Sequence, residues 1–160
     1  MEKLTGQLVH KVPLFFGFSP TEMKAFLDIC KMGERPLGET ICEFNTTSSR
    51  LFLLLDGELD ILGQDGTPLA VQKPISTVGE MGFVTRKPRT ATVKTRTASQ
   101  ILRVEHHDFD GLMESDAGLR AKIYRNLVRI LSDKLSDAND LVIRYRKLYE
   151  SGTRAQPKDD

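Results

Sequence analysis

The sequence lacks several features that would mark particular classes of protein. It has two cysteines, Cys30 and Cys42, no tryptophan, and a formal net charge of only +1. Two cysteines cannot form a disulfide framework, so we interpret them as reduced, partly buried thiols of a cytoplasmic protein, with a Cys30–Cys42 bridge as the alternative. The small net charge argues against general binding to nucleic acid or to a membrane surface.

Long apolar runs are also missing. The run Leu51–Leu55 is far shorter than the roughly 20 residues of a transmembrane helix, so we expect no membrane span. The opening residues, MEKLTGQLVHKVPLFF, lack the apolar stretch and cleavage site of a secretory signal. The 160 residues, with 39% apolar and 28% charged side chains, are typical of one globular domain with a single core.

Groups of side chains typical of enzymes are not apparent. His106 and His107 are adjacent and are a poor chelating pair on a strand, and no Ser–His–Asp set, carboxylate pair or metal cluster stands out. We therefore expect no catalytic residue, no metal and no cofactor. The basic residues between Arg86 and Arg96 have no aromatic residues among them, which favours an anion pocket with solvated strand residues over a nucleic-acid surface.

The pattern of apolar residues divides the chain into three zones. Up to residue 29 the spacing is helical, and Ser19, Pro20 and Glu22 predict a helix that begins with a capping box. From residue 30 to about 105, short apolar or alternating runs are separated by glycine turns. This pattern predicts a small antiparallel sandwich or barrel.

Turn dipeptides refine the middle zone. Asp56-Gly57 predicts a tight hairpin after the expected buried strand Arg50–Leu55, and Asp65-Gly66 predicts a second hairpin. Further strands are expected in the segments TATVKTRTA and QILRVE.

The third zone is helical. A short helix, DFDGLMES, is predicted to end near Ser115, a long helix is predicted over 117–150, and a disordered tail over 151–160. At 1.5 Å per residue the long helix would extend about 50 Å, more than a small domain needs to cover itself. Its apolar residues recur at steps of three and four: Tyr124, Leu127, Leu131, Leu135, Ala138, Leu141, Val142, Tyr145 and Leu148.

The oligomeric state of the long helix is less clearly marked. A heptad count from Tyr124 places Lys134 in a core position, so a regular coiled coil is not expected. We still predict a homodimer through this helix, because isologous pairing is the commonest oligomeric arrangement.

The most informative stretch is VGEMGFVTRKPRTATV. Gly79 and Gly82 permit positive φ angles and close backbone approach, and the segment from Glu80 can form a helical turn whose N–H groups attract an anion. Arg89 adds a planar, permanent charge that suits phosphate. The Glu80 carboxylate repels phosphate, but it can accept a hydrogen bond from a hydroxyl such as that of a ribose. A ligand with one phosphate and one ribose satisfies both residues.

This stretch resembles the phosphate-binding cassette of cyclic nucleotide-binding domains, the modules of the catabolite activator protein, protein kinase A regulatory subunits and nucleotide-gated channels. The matching residues are Gly79, Glu80, Gly82, Arg89, Thr90 and Ala91. The flanking segments VPLFFGFSPTEMKAFL, GETICEFN and LFLLLDGELDI are similar to the N-terminal helices and β-roll strands of that family. The resemblance covers about residues 10–149.

The resemblance implies a mainly β fold with α: an antiparallel β-roll, a double-stranded β-helix of the jelly-roll kind. N-terminal helices, roll and hinge helix would occupy residues 1–116, and the long C-terminal helix over 117–150 would serve as a lid or dimerisation element. Glu80 would accept the ribose 2′-OH and Arg89 would pair with the cyclic phosphate. The implied ligand-binding set is Gly79, Glu80, Met81, Gly82, Arg89, Thr90 and Ala91.

The base is less well specified. The resemblance places it between the roll and the long helix, with Ser132, Asp133 and Ser136 as polar candidates for contact. Thr90 is compatible with both cAMP and cGMP.

Two positions depart from the family pattern. Asn45 stands near a turn that usually holds glycine, although Asn tolerates the left-handed conformation. Glu105 stands where the helix after the last strand would usually have a Ser or Asp cap.

The predicted function is a stand-alone signalling module, not an enzyme, that binds cAMP or cGMP and acts through its dimer or a partner protein. Eleven residues follow Tyr149, too few for a helix-turn-helix, so no direct DNA binding is expected. The alternative is a degenerate family member that serves as an interaction or dimerisation domain without nucleotide. A small roll-fold enzyme is a third reading, which the absence of a catalytic cluster disfavours.

Overall fold

The computed structural model describes residues 11–47 and 49–153 of the chain. The helical spacing at Leu4, Leu8 and Val9 lies outside the described residues, as does 154–160 of the predicted tail. The chain divides into two units, Met1–Leu127 and Val128–Asp160. The first unit contains both sheets and all seven residues of the predicted cassette.

A 3₁₀ turn, Pro13–Phe15, and helix α1, Pro20–Asp28, precede the sheets. The predicted capping box is confirmed: the Ser19 hydroxyl accepts from the Glu22 N–H at 3.2 Å, and the Glu22 carboxylate accepts from the Ser19 N–H at 2.6 Å. These bonds satisfy N–H groups that the start of a helix otherwise leaves without intrahelical partners.

Two antiparallel sheets of four strands form the centre of the first unit. The strands are β1 Cys30–Arg35, β2 Thr40–Cys42, β3 Arg50–Asp56, β4 Leu59–Leu62, β5 Pro68–Gln72, β6 Ser76–Val78, β7 Thr92–Thr95 and β8 Ser99–Glu105. The first sheet has the order β1-β8-β3-β6 and the second has the order β2-β7-β4-β5. Consecutive strands therefore alternate between sheets in places, and the predicted jelly-roll architecture is confirmed.

Strand β3 is the most buried strand of the roll. Five consecutive residues, Leu51–Leu55, are buried, so both faces of the strand are covered. Phe52 and Leu54 join the interior cluster, whose other buried members are Cys42, Leu59, Val78, Val93 and Ile101. This apolar interior fixes the positions of the strands on which the candidate site is built.

The predicted hairpin at Asp56-Gly57 is wrong. Strand β3 pairs with β6 and β8, whereas β4 pairs with β5 and β7, so the turn carries the chain from one sheet to the other. Gly57 has φ +89, and an added Cβ would lie only 2.3 Å from Ser99 Oγ. The Asp-Gly pair correctly indicated a turn, but the strands that pair with β3 are set by contacts with residues far along the chain. The hairpin at Asp65-Gly66 is confirmed as the β4–β5 connection.

Three helices complete the described fold: α2 Glu80–Thr85, α3 His106–Ser115 and α4 Ala117–Thr153. Helix α3 begins at His106, two residues before the predicted segment, and its N-cap Glu105 makes no side-chain cap bond. The two adjacent histidines are therefore helical rather than part of a strand.

Helix α4 begins where predicted but extends to Thr153, so residues 151–153 are helical and not disordered. Local bonds support this last turn: Arg146 Nε donates to Glu150 Oε1 at 2.9 Å, and Ser151 Oγ donates to the Leu148 carbonyl at 2.9 Å. The boundary between the units falls inside α4, after Leu127, rather than at residue 116. Buried apolar residues of its first turns belong to the first unit: Leu119, Ile123 and Leu127.

Candidate functional site

Gly79 forms the turn between β6 and α2. It has φ +81 and is the N-cap residue of α2. A Cβ at this position would lie 2.3 Å from Arg89 Nη1. The turn therefore needs glycine for two reasons, its left-handed backbone and the space that the guanidinium occupies.

Arg89 lies against this turn with only 4% of its surface exposed. Its Nη1 donates to the Gly79 carbonyl at 2.6 Å, and its Nη2 donates to the Arg50 carbonyl. Its guanidinium carbon is 6.0 Å from the centre of the Phe52 ring. The Gly79 carbonyl also accepts the Phe83 N–H at 3.0 Å, so one oxygen connects Arg89 to the first turn of α2.

Glu80, the first residue of α2, is buried at 3% exposure. The charges of Glu80 and Arg89 both affect the pKa of the nearby Cys42 thiol. Burial raises the pKa of Cys42, the positive charge of Arg89 partly offsets this effect, and the negative charge of Glu80 adds to it. Acidic and basic side chains are seldom this buried, and charged groups inside a protein mark a candidate functional site.

The remaining predicted residues lie around these two. An added Cβ on Gly82 would be 3.0 Å from the Lys87 carbonyl, so the returning chain passes close to α2. Thr90 Oγ1 is 3.9 Å from the Met81 sulfur, and the Met81 side chain is 48% exposed. Ala91, directly after Thr90, is half-buried. The loop thus brings glycine, acid, arginine and hydroxyl together, while the ligand roles of these residues stay predictions.

Sequence reasoning missed the backbone groups that hold Arg89. The Arg50 carbonyl accepts from the Arg89 side chain. The loop after β2 forms two hydrogen bonds with the Arg89 backbone: the Asn45 N–H donates to the Arg89 carbonyl, and the Arg89 N–H donates to the Thr46 carbonyl, each at 2.9 Å. Asn45 has φ +61, the left-handed conformation anticipated for this residue. The Asn was the one signal of this turn in the sequence, and it could not reveal the distant partner.

A surface cavity of about 320 Å³ lies elsewhere, on the second sheet. Thr40 of β2, Leu62 of β4 and Lys94 of β7 are among the residues that line it, and no predicted cassette residue lines it. The cavity has no buried charged group, so we place the candidate site at the cassette and not at this groove.

The other sequence expectations concern metals, thiols and the base. Among residues 11–47 and 49–153, no three His, Cys, Asp or Glu side chains are placed to hold a metal ion, and no helix is long and apolar enough to cross a membrane. Cys30 and Cys42 are free, and burial raises the pKa of Cys30 to about 12, which makes it a poor nucleophile. Ser132, Asp133 and Ser136 are exposed on α4, and their contact with a base stays a prediction.

A family model described as the cyclic nucleotide-binding domain matches residues 34–116, just over half of the chain. One curated relative is a cyclic nucleotide-gated potassium channel of Mesorhizobium japonicum, which is 30% identical to this chain over 120 residues. That match covers 74% of this chain and 32% of the channel, so the chain spans about a third of the length of this curated relative.

Solved structures share the fold. A cyclic nucleotide-binding domain from Methylobacillus flagellatus matches with a TM-score of 0.80 at 18% identity, covering 89% of this chain and 83% of that one. The catabolite activator protein of Thermus thermophilus matches with a TM-score of 0.69 at 23% identity, covering 84% of this chain and 63% of that one. At these identities the likeness concerns the fold.

Proposed function

The chain belongs to the cyclic nucleotide-binding domain family, and on this premise we propose that it binds cAMP or cGMP as a regulatory module rather than as an enzyme. The observation that carries the proposal is the burial of Glu80 and Arg89 beside the Gly79 turn. The family match supports a cyclic nucleotide as the class of ligand, and we propose that these two side chains recognise its ribose and its phosphate.

Arg89 is the proposed partner of the cyclic phosphate. Two of its nitrogens donate to backbone carbonyls of Gly79 and Arg50, which fixes the plane of the guanidinium. A fixed, poorly solvated guanidinium attracts a phosphate more strongly than a mobile surface arginine does.

Glu80 is the proposed partner of the ribose. A carboxylate only accepts hydrogen bonds, so it suits the 2′-OH and disfavours a second phosphate charge. In a 3′,5′-cyclic nucleotide the phosphate ring is fused to the ribose, which holds the two groups at a fixed separation. A 5′-monophosphate is a poorer match, because its phosphate sits on a rotatable arm and carries more negative charge.

Calorimetric titration tests this assignment with cAMP, cGMP, 5′-AMP and the 2′-deoxy form of the cyclic nucleotide that binds. We expect binding of a cyclic nucleotide, much weaker binding of 5′-AMP, and a loss of about 10- to 100-fold for the 2′-deoxy form, the range of a hydrogen bond to a charged group. In Glu80→Gln the penalty for the 2′-deoxy form should shrink. Folded protein that gives no heat with either cyclic nucleotide would instead support an interaction domain without nucleotide.

We also propose that the chain forms a homodimer through α4. Leu127 is buried at 1% exposure, whereas its neighbour Val128 is 66% exposed, so we place the proposed dimer contact on the stripe that begins at Val128. From Val128 the exposed or half-buried apolar residues follow steps of three and four without interruption: Val128, Leu131, Leu135, Ala138, Val142, Tyr145 and Tyr149. This stripe, here called the distal stripe, leaves Lys134 outside the core positions, so it supports helix pairing better than the heptad count from Tyr124 did.

Signal transmission follows from these two assignments. Nucleotide bound at the cassette would shift the equilibrium between arrangements of the helices, to the extent that it binds them differently. The change would then reach the second copy or a partner protein. The free thiols Cys30 and Cys42 suit the reducing conditions of the cytoplasm, which we propose as the location.

A further inference from the structure

Outside the predicted set of ligand-binding residues, helix α2 and its C-cap residue contact helix α3. The side chains in this contact, here called the α2–α3 joint, are Phe83 of α2, the C-cap residue Arg86, and His106, Phe109 and Asp110 of α3. Phe83 is only 1% exposed. Its ring centre lies 4.8 Å from that of His106 and 4.9 Å from that of Phe109. This half of the joint is therefore a cluster of three neighbouring rings around the buried Phe83.

The other half of the joint is polar and centres on one carboxylate oxygen. Arg86 Nη2 lies 2.9 Å from Asp110 Oδ2, and His106 Nδ1 lies 2.9 Å from the same oxygen. The backbone N–H of His106 donates to the Ser49 carbonyl at 2.7 Å, which fixes the start of α3 against the loop before β3. One carboxylate oxygen of α3 thus holds the end of α2.

The backbone at Arg86 makes this contact consequential. Arg86 has φ +56, a left-handed backbone conformation that is unfavourable for a residue with a long side chain. This residue ends α2 and turns the chain back, so that Lys87 passes Gly82 and Arg89 returns beneath Gly79. The location of Arg89 depends on that turn, and contacts that hold Arg86 in place support it.

Helix α2 is therefore fixed at both ends. Its first turn is connected to Arg89 through the Gly79 carbonyl, and its last residue is followed by Arg86, which pairs with Asp110. We propose that Asp110 is a positioning residue for the cassette: through Arg86 it holds α2 in the orientation that places Glu80 and Arg89. By linkage, nucleotide binding would change the strength of the joint by the same factor as the joint changes nucleotide affinity.

The expected effect is small, because the Arg86 and Asp110 side chains are 69% and 41% exposed. Exposed ion pairs of this kind change an equilibrium by about two- to five-fold. The chain offers a matched control in Arg96 and Asp60, a pair 3.0 Å apart with exposures of 52% and 31%. Asp60 lies in β4 of the second sheet, and Arg96 directly follows β7. Asp60→Asn removes a similar pair without touching the joint.

The first test needs no nucleotide. Amide hydrogen exchange across α2 is measured in the wild type, Asp110→Asn and Asp60→Asn. We expect exchange in Glu80–Thr85 to rise about two- to five-fold in Asp110→Asn and to stay unchanged in Asp60→Asn. Equal exchange in all three proteins would overturn the proposal, whether or not the chain binds nucleotide.

The second test rests on the proposed function. Cyclic-nucleotide dissociation constants are measured for Asp110→Asn, Arg86→Gln, the double variant and Asp110→Glu, at a temperature where all are folded. We expect each single variant to bind about two- to five-fold more weakly, the double variant to be no weaker than the singles, and Asp110→Glu to recover affinity. Additive losses, or an equal loss in Asp60→Asn, would overturn the role of Asp110. If the wild type binds no cyclic nucleotide, the proposed function fails and the exchange result alone decides the joint.

Discussion

The cassette and the distal part of α4 differ in what they bury. In the cassette, Glu80 and Arg89 are charged and almost completely buried, at 3% and 4% exposure. In the distal stripe, apolar side chains such as Val142 and Tyr149 are 65% and 77% exposed. Each region reverses the usual distribution of these residue types, and such reversals are more informative than ordinary burial. The first suits a small anionic ligand and the second suits another protein surface.

The two regions also differ in how they are held. Arg89 is bonded to groups that are far away in the sequence, at Asn45, Thr46 and Arg50. The distal part of α4 is held by local contacts such as the ion pair between Arg146 and Glu150. These residues are one helical turn apart, and their side chains are 80% and 58% exposed. Single substitutions should therefore have large effects in the cassette and smaller effects on the helix.

The largest expected effect comes from Arg89→Ala. Loss of the guanidinium should weaken cyclic-nucleotide binding by about 100-fold or more, the range for one partner of a buried charge pair. Titration calorimetry measures this loss, with Arg96→Ala as a control that removes an exposed arginine. Arg89→Lys keeps the charge and should recover part of the affinity even if the alanine variant folds poorly. Unchanged affinity in both Arg89 variants would contradict the phosphate role.

A second substitution tests the space in the turn. Gly79 and Gly66 have nearly the same φ, +81 and +82, but an added Cβ meets Arg89 only at Gly79, whereas nothing lies within 4 Å at Gly66. Both alanine variants bear the backbone strain, so Gly79→Ala should destabilise the protein by about 2 kcal/mol more, the cost of overpacking. Urea unfolding measures the difference. Equal losses of stability would show that the guanidinium does not need this space.

The sequence predicts some contacts of this fold and not others. The capping box at Ser19 and the hairpin at Gly66 were predictable, because their chemistry is local. The course of the chain after Gly57 was not, because strand pairing depends on residues far away. Glu80 and Arg89 were marked by residue type, but the carbonyls that hold Arg89 belong to the backbone, which every residue type supplies, so no sequence pattern reveals them.

The distal stripe predicts an intermediate effect. Leu135→Glu places a charge in the proposed dimer contact and should weaken self-association by at least about 10-fold, since a buried leucine contributes about 1.5–3 kcal/mol. Sedimentation at several concentrations measures this change. Ser136→Glu introduces the same side chain one position away, outside the stripe, and should leave association unchanged. Equal association in both variants, or a monomeric wild type, would contradict the dimer.

The smallest effect is expected at Glu22, in the first unit and outside both regions. Lys122 Nζ donates to both carboxylate oxygens of Glu22, at 2.8 and 2.7 Å, and chiefly this bond holds the pKa of Glu22 below its usual value. The lowered pKa means that the contribution to stability is complete above about pH 5 and is lost as the pH falls below the ordinary value of about 4.3.

Glu22→Gln should therefore lower the free energy of unfolding at pH 7 by about 1 kcal/mol. The difference from the wild type should close as the pH is lowered below about 4. Denaturant unfolding at a series of pH values measures both effects. A difference that is independent of pH would show that the charge of Glu22 does not matter. Nucleotide affinity and self-association should not change, which separates this contact from the two regions compared above.

The most direct test of the nucleotide assignment is the unfolding free energy of the wild-type chain with cAMP, with cGMP, with 5′-AMP and without ligand. A ligand at about one hundred times its dissociation constant stabilises the folded state by about 2.7 kcal/mol. We predict this stabilisation with at least one cyclic nucleotide, and less than about 0.5 kcal/mol with 5′-AMP at the same concentration or in Arg89→Ala. A folded wild-type protein that neither cyclic nucleotide stabilises would contradict the account.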